Sequence, residues 1–440
     1  MGLTVALNMR IGIVIDYGAY ANASSLNLIA KKIFSELGKL MNEKKDFTIA
    51  ALRYEEIGIG NINQHYDCIC VPNMGGFRFP SKGVLTSDNL IIGLIGIDEV
   101  VLGRHVYKTD LDWKKNKPII NEEVVKWRKN VDKIKMIHVA TQSEKRQMVE
   151  YLKIPEEKIK IIPLGVDHNE FFPIKDKDTQ RKKVLGKFFM KDKPYFIHIS
   201  ESNWARKNVF RILDAFEDIK KNGVNYSLII IGRTDTSVTK RAGEINDVKI
   251  LGFVSNEHLV ELLQCADALV FPSLHEGFGL PSVEALACGI PVIASNVFSS
   301  PEVIGDAGLY VDPYSTKDIS EKMAIIATDS VLRTNLSAKA IEQSKKYSWE
   351  KTAAELLKLI ESSIKVSKFD FDSSLEIAAR RTLVTVCEIT PELREITVPH
   401  ILEFNYEPIV RWANEVGLEK SETREFLLPF KEWIEVNSKY

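Results

Sequence analysis

The sequence has few cysteines, almost no net charge and no long apolar run, and each shortage excludes a class of protein. The five cysteines are scattered and form no C-x-x-C pair, which argues against a disulfide scaffold and a zinc ribbon. The 59 Lys and Arg residues nearly balance the 60 Asp and Glu residues, so a protein that coats nucleic acid is not indicated. No stretch reaches the ~20 apolar residues of a membrane helix, and the N-terminus does not resemble a signal peptide. We therefore predict a cytoplasmic protein that does not bind nucleic acid.

The 440 residues, 45% of them hydrophobic, suffice for two domains with their own cores. Short apolar runs alternate with helical periodicities almost throughout, which predicts α/β domains with parallel sheets covered on both faces. A turn-rich and then charged stretch is typical of a linker between two such domains. We predict an N-terminal domain (1–165), a linker (166–178), a C-terminal domain (179–365) and an acidic helical appendage (366–440).

Residues 268–295, ALVFPSLHEGFGLPSVEALACGIPVIAS, carry the clearest chemical pattern in the chain. A buried strand ends at Pro272, a loop with two glycines follows, and Pro281 stands where a helix would begin. Such a loop brings a helix N-terminus to the carboxyl edge of a parallel sheet, where open α/β sheets bind ligands and anions are favoured. Glu276 in the loop and Glu284 in the first turn of the helix are good acceptors for sugar hydroxyls. The pattern thus predicts a site for a nucleotide that carries a sugar.

The segment EGFGLPSVE resembles the E-x7-E signature of retaining glycosyltransferases of family 4. These enzymes have the GT-B fold, an α/β architecture of two facing Rossmann-like domains with parallel sheets. The segments ATQSEKRQMVEYLKIPEEKIKIIPLGVD, ARKNVFRILDAF and SSPEVIGDAGLYVDP resemble the same family in the same order, and the match is clear from about 137 to 364. The resemblance implies transfer of a sugar from a nucleotide diphosphate to a hydroxyl with retained configuration, in which the departing phosphate helps to deprotonate the acceptor.

The resemblance also implies roles for individual residues. Arg206 and Lys207 would hold the donor diphosphate and replace a metal ion, and Glu276 would contact hydroxyls of the transferred sugar. Glu284 would bind the ribose hydroxyls. The remaining donor-binding residues would offer backbone N–H groups or border the base: Gly277, Phe278, Gly279, Leu280, Val254 and Gly18. The structural alternative treats Arg206 and Lys207 as solvated charges of a helix start and Glu284 as a surface residue.

Two positions depart from the family pattern. Many relatives carry Gly-Arg where this chain has Ser200-Glu201, and His-Asp where it has Ile97-Asp98. An acidic residue beside a diphosphate is unexpected, so Glu201 would turn away or pair with Arg206. Asp98 and His105 are the acceptor-side candidates, although a lone histidine in a weakly matching region is usually structural.

Two weaker patterns have simpler explanations. Asp110-Leu-Asp112 spells a metal-binding D-x-D, but Asp370-Phe-Asp372 spells it too and neither follows a strand of a nucleotide site, so we predict no metal. The stretch 104–135 has ten basic and five acidic residues with two interleaved tryptophans. It would serve either as a dock for a membrane surface or as a solvated helix face, and the second alternative is favoured.

These patterns together predict a metal-independent glycosyltransferase without a cofactor, acting in glycan or glycolipid assembly. The donor would be a GDP- or UDP-sugar, with a preference for mannose. The acceptor would be a carbohydrate or a lipid-linked glycan, reached in the cytoplasm or at the inner face of the cell membrane. The alternative is a non-catalytic GT-B scaffold that binds nucleotide sugar or glycan together with a protein partner. A Rossmann dehydrogenase ranks lower, because residues 16–25 contain no G-x-G-x-x-G.

Overall fold

A computed structural model describes residues 9–16, 24–43, 47–53, 66–75, 79–80, 89–107, 109–200 and 205–364. Gly18, Glu201 and the predicted appendage 366–440 lie outside these residues. No helix of the described ranges combines the length and the apolar character needed to cross a membrane.

The first sheet has six strands in the order β2-β1-β3-β4-β5-β6. Their bounds are β1 Met9–Asp16, β2 Phe47–Arg53, β3 Cys68–Gly75, β4 Leu90–Ile95, β5 Met136–Val139 and β6 Ile159–Ile161. β1 pairs in parallel with β2 and β3, and β5 with β6. The strands are buried apolar runs such as IIGL, because helices cover both faces of a parallel sheet.

The helices that accompany this sheet differ in length. Their bounds are α1 Ser24–Glu43, α2 Asp98–Val101, α3 Asp110–Asn130 and α4 Gln142–Gln147. α1 buries Ile29, Ile33 and Leu37, one turn apart along a single face. α3 begins with a capping box, in which Thr109 and Asp112 each accept from the backbone N–H of the other.

The second sheet also has six strands, in the order β12-β11-β10-β7-β8-β9. Their bounds are β7 Tyr195–Ile199, β8 Ser227–Ile231, β9 Val248–Gly252, β10 Ala268–Phe271, β11 Val292–Ser295 and β12 Gly308–Val311. All five neighbouring pairs are parallel. Among the described residues, the helices of this part of the chain are α5 Lys177–Lys187, α6 Val209–Lys221, α7 Thr236–Gly243, α8 Asn256–Cys265, α9 Leu280–Ala287, α10 Ser300–Ile304, α11 Thr316–Thr328, α12 Ser330–Ser344 and α13 Trp349–Ser363.

The core of the second sheet explains why its helices form where they do. α6 buries Val209, Ile212, Leu213 and Phe216, which recur at helical spacing and pack on strands β7, β8 and β10. A stripe of this kind removes apolar surface from water on one side of the helix and leaves the charged side exposed. The sheet therefore presents its loops, rather than its faces, to a ligand.

Contacts divide the chain into two units. One comprises Met1–Pro72, Ser81–Ile91 and Ile360–Tyr440, and the other comprises Asn73–Pro80 and Ile92–Leu359. All residues of the site described below belong to the second unit. The predicted domain limits remain predictions.

The strand and helix pattern is confirmed for most elements. Ser255 caps α8, because its side chain accepts from the N–H of His258 at 3.2 Å. Other elements were not anticipated: β6, α2, α5, α7, α10, β12, α11 and α12. The edge strand β12 is mostly half-buried, so its sequence GLYV lacks the continuous apolar run that marks a central strand.

Candidate functional site

The loop between β10 and α9 is held by four side chains from three other segments. Arg206 Nη1 donates to His275 O at 2.8 Å, Ser299 Oγ to Glu276 O at 2.7 Å, and Thr141 Oγ1 to Gly277 O at 3.1 Å. The imidazole Nε2 of His275 also lies 2.9 Å from Gln147 Oε1. Three consecutive carbonyl groups are therefore fixed, which defines the path of the loop before any ligand binds.

Glu276 forms a buried cluster with the two predicted cations. Its Oε1 atom accepts from Lys207 Nζ at 2.7 Å and from Arg206 Nη1 at 3.0 Å. Lys207 is 6% exposed and Glu276 is 8% exposed, so neither behaves as a solvated surface charge. Burial raises the pKa of Glu276, but Lys207 and then Arg206 outweigh that effect and lower the pKa to about 2. Glu276 is therefore ionised at neutral pH and accepts hydrogen bonds.

Arg206 is shared between two carboxylates. Besides Glu276, its Nε atom lies 3.3 Å from Asp98 Oδ2, at the start of α2. Asp98 follows β4, whereas Arg206 precedes α6, so the pair joins segments of the chain more than a hundred residues apart. Glu201, considered in the sequence as a partner for Arg206, lies outside the described residues. Within the described residues, Asp98 and Glu276 each place a carboxylate against Arg206.

Asn208 completes the R-K-N segment in a way that sequence reasoning missed. Its backbone is left-handed, with φ of 62°, and its amide nitrogen donates to Pro272 O at 2.9 Å and Pro313 O at 2.6 Å. Asn is one of the few residues with a side chain that adopts this conformation readily. Asn208 thus ties the start of α6 to the ends of β10 and β12, and so positions Lys207.

The start of α9 offers backbone donors to a ligand. Gly279 precedes the helix with φ of +86°, a conformation that residues with a side chain rarely adopt. Leu280 is the first helical residue and Pro281 the second, which agrees with the predicted helix start. The N–H groups of residues 277–280 donate to no acceptor in the described part of the chain. They are available to an anion or a sugar oxygen.

Glu284 lies one helical position later than predicted. It is the fifth residue of α9, just past the first turn, and it is half-buried. The difference arises because the helix begins at Leu280, one residue before the proline that marked it in the sequence.

The remaining predicted residues differ in their burial and in the side chains that they contact. Phe278 is buried and packs edge-on against Tyr347, with ring centroids 5.3 Å apart. Val254 follows β9 and is half-buried. His105 is exposed on the 3₁₀ turn Gly103–Val106, where its ring lies 6.4 Å from that of Tyr314. Gly18 is among the residues not described.

The D-x-D segment has a local role in the structure. Asp110 pairs with Arg104, and Asp112 completes the capping box of α3 with Thr109. Both carboxylates therefore stabilise the first turn of a helix. In the described ranges, no group of three His, Cys, Asp or Glu side chains is placed to hold a metal ion.

Comparison with solved structures defines the fold. Sucrose-phosphate synthase from Thermosynechococcus elongatus superposes with a TM-score of 0.62 at 15% identity, covering 81% of this chain and 99% of that one. WaaG, a glycosyltransferase involved in lipopolysaccharide biosynthesis, superposes with a TM-score of 0.59 at 16% identity, covering 80% and 99%. The two six-stranded sheets are thus those of the GT-B fold, as predicted.

Comparison of sequences then relates part of the chain to one family. Residues 178–365 match the family model of glycosyl transferases group 1. Among curated proteins, the chain is 29% identical over 235 residues to O-antigen chain mannosyltransferase B of Escherichia coli, covering 52% of this chain and 61% of the relative. It is 30% identical over 227 residues to the mannosyltransferase WbdA of Escherichia coli, covering 49% and 27%. The chain therefore spans less than two thirds of the length of these relatives.

Proposed function

We propose that the protein is a retaining glycosyltransferase of family 4 that moves a sugar from a nucleotide diphosphate donor to a hydroxyl. One observation carries this proposal. Glu276, Lys207 and Arg206 form a buried cluster beside the backbone N–H groups of residues 277–280. Cations and helix-start amides favour a diphosphate, and an ionised carboxylate accepts from sugar hydroxyls. A nucleotide sugar carries both chemical groups in one molecule.

The proposed mechanism assigns the departing diphosphate to the cations. Arg206 and Lys207 stabilise the charge that develops on the leaving phosphate, so a resident metal ion is not required. Glu276 orients these two cations and accepts from a hydroxyl of the transferred sugar. Because its pKa is about 2, it does not act as a general acid near neutral pH. The leaving phosphate itself takes the acceptor proton in this route, and configuration is retained.

The nucleotide extends from this cluster along the loops of the second sheet. We assign the ribose hydroxyls to Glu284 and the base to the neighbourhood of Val254. A GDP- or UDP-sugar fits this assignment. Mannose is preferred because two mannosyltransferases are among the similar curated proteins. A solved structure with a similar fold contains UDP-glucose, so UDP-sugars remain candidate donors.

The acceptor side is assigned to Asp98 and His105. Asp98 reaches the cluster through Arg206, and His105 forms an exposed aromatic corner with Tyr314, which is 50% exposed. Exposed aromatic faces beside carboxylates suit a carbohydrate, either free or linked to a lipid.

A peripheral membrane contact in the cytoplasm is assigned to the outer face of α3. Leu111 is 75% exposed, and Ile119 and Val125 are each 44% exposed. Lysines 114, 115 and 129 are exposed along the same helix. Apolar side chains flanked by lysines favour an anionic lipid surface. Sedimentation with phosphatidylglycerol vesicles should fall when Leu111 and Ile119 are changed to Ser, whereas Phe189→Ser, at a residue 98% exposed elsewhere, should leave it unchanged.

The experiment that tests the proposed function is a thermal-stability screen of GDP- and UDP-sugars, followed by a transfer assay with mannosides. The matching sugar nucleotide should raise the melting temperature, and Glu276→Ala should abolish transfer. Glu261→Ala is the matched control, because Glu261 also pairs with a lysine, Lys187 at 2.6 Å, but lies on α8. Absence of stabilisation by every nucleotide would contradict the proposal.

One observation favours a second candidate, a GT-B scaffold without catalysis. Ile97 is fully buried at the position where many relatives carry a histidine, so this chain lacks an imidazole there. Such a scaffold would bind the nucleotide sugar or a glycan and a protein partner. Hydrolysis or transfer of a bound donor by the purified protein would exclude it.

A further inference from the structure

The start of α4 contacts the loop of residues 275–277, although no sequence pattern assigned it a role. Thr141 is the N-cap of α4, and its Oγ1 atom accepts from Glu144 N at 3.1 Å while it donates to Gly277 O at 3.1 Å. Glu144 stands three residues after the cap, in the T-x-x-E arrangement of a capping box. That arrangement explains why a glutamate occupies this position, but not the further contacts that it makes.

The carboxylate of Glu144 bridges the ends of two strands. One oxygen accepts from Gly96 N, just after β4, and the other from Ala140 N, just after β5, both at 2.8 Å. The side chain is fully buried. Carboxylates are rarely buried to this extent unless the groups around them need the acceptor.

The Cα atom of Gly277 packs closely against the Glu144 carboxylate. A Cβ atom built on Gly277 would lie 2.2 Å from Glu144 Oε1 and 3.1 Å from Gly96 N. The first distance is far below any tolerated contact, and the oxygen cannot move without breaking its bond to Gly96. Glu144 therefore sets how closely the loop approaches, and the absent side chain of Gly277 makes that approach feasible.

We infer that Glu144 is a positioning residue for the donor loop, holding Gly277 so that the N–H groups of residues 277–280 meet the donor. The identity of the ligand rests on the proposed function, whereas the mechanical coupling between Glu144 and Gly277 does not. The α10 residue Glu302 strengthens the arrangement, because its carboxylate accepts from Gln142 N at 2.8 Å and Ser143 N at 3.2 Å. The loop of residues 275–277 and the start of α4 are therefore preorganised together.

The coupling is tested by a double-mutant cycle on the unliganded full chain. Gly277→Ala should lower the melting temperature, and this loss should be smaller in a Glu144→Ala background than in wild type, since the 2.2 Å clash is absent there. In a Glu123→Ala background the loss should be unchanged. Glu123 is the matched control because it is also buried and accepts from a backbone N–H, that of Phe79 at 2.6 Å, away from the loop. Additive effects in the Glu144 cycle would overturn the inference.

The positioning role is tested with GDP and UDP as probes, by calorimetry. Glu144→Ala, and the volume-conserving Glu144→Gln, should weaken binding of the stabilising nucleotide by about tenfold, whereas Glu123→Ala should leave it within about twofold. Equal binding by the Glu144 and Glu123 variants would overturn the positioning role. If the unmodified protein binds neither nucleotide, the proposed function fails, and the double-mutant cycle still decides the coupling.

Discussion

Glu276 and Glu144 are two buried glutamates with opposite electrostatic surroundings. Glu276 lies against Lys207 and Arg206, and its pKa is lowered to about 2. Glu144 accepts from backbone N–H groups alone, so burial dominates and raises its pKa to about 7, with Glu302 adding to the rise. Burial is common to both residues, and the charge of the partners decides the ionisation state. A carboxylate that must stay charged beside a substrate therefore needs cations, whereas one that only shapes a loop does not.

The largest expected effect comes from neutralising Glu276, the glutamate that lies against two cations. Glu276→Gln takes away the carboxylate that Lys207 contacts at 2.7 Å, in a site where both side chains are buried. Breaking a buried ion pair from one side should lower the free energy of unfolding by about 3–5 kcal/mol. Urea denaturation measures this change in the free energy of unfolding. The exposed pair of Lys187 and Glu261 is the control, where Glu261→Gln should cost less than about 1 kcal/mol.

The second prediction concerns the pH dependence of stability at Glu144. Its pKa is raised from 4.5 to about 7 on folding, so its contribution to stability is complete below pH 4.5 and is lost as the pH rises through 7. Ionisation should cost about 3 kcal/mol, and Glu144→Gln should lack this loss.

The difference between wild type and Glu144→Gln isolates this titration. Three buried histidines, His138, His198 and His275, have pKa values lowered to about 4 by burial, and their contribution grows with pH over the same range in both proteins. The melting temperature of Glu144→Gln relative to wild type should therefore rise between pH 4.5 and 8, on top of a constant offset from the acceptor that the glutamine amide nitrogen cannot replace. A pH-independent difference would contradict the assignment.

The third prediction concerns removal of a cation beside Glu276, which brings its electrostatic surroundings closer to those of Glu144. Lys207→Met removes the nearest cation and leaves Arg206, so the free energy of unfolding should fall by about 2 kcal/mol. The pKa of Glu276 should rise. Because a lowered pKa contributes stability that is lost as the pH falls, acid unfolding should then begin at a higher pH than in wild type. Lys187→Met should leave the acid transition unchanged.

The smallest expected effect concerns the second carboxylate on Arg206. Asp98 Oδ2 lies 3.3 Å from Arg206 Nε, and its side chain is 27% exposed, so Asp98→Asn should change the free energy of unfolding by less than about 1 kcal/mol. A loss as large as that of Glu276→Gln would show that Asp98, rather than Glu276, is the principal partner of Arg206. Thermal denaturation of both variants side by side distinguishes the two outcomes.

Sequence reasoning singled out the loop of the candidate site because its pattern is local in the chain. The loop with Glu276, its two glycines and Pro281 is one short segment, and strand, turn and helix-start preferences are properties of neighbouring residues. The position of Glu284 in the helix differs from the prediction by one residue, because the helix starts one residue before its proline. Short edge elements such as β12 were missed because half-burial weakens the apolar pattern.

Asn208 and Glu144 show what local patterns do not carry. Asn208 was read as part of the R-K-N segment, yet its left-handed backbone and its bonds to Pro272 and Pro313 appear only when the strand ends meet. Glu144 lies in a T-x-x-E segment of the kind that begins helices, and its contact with Gly277 spans more than a hundred positions. A capping pattern predicts a helix start and says nothing about what packs against it.

The sequence by itself therefore determined the alternation of strands and helices and the loop of the E-x7-E segment, because near-neighbour preferences and hydrophobic periodicity are sufficient for these features. The two cations, Arg206 and Lys207, were predicted from the family resemblance. Only the tertiary structure decided that Lys207 and Arg206 converge on Glu276, and that Glu144 supports Gly277. These contacts join segments that parallel strands bring to one edge of a sheet, and the energies of burial and charge that govern them depend on distance in space rather than along the chain.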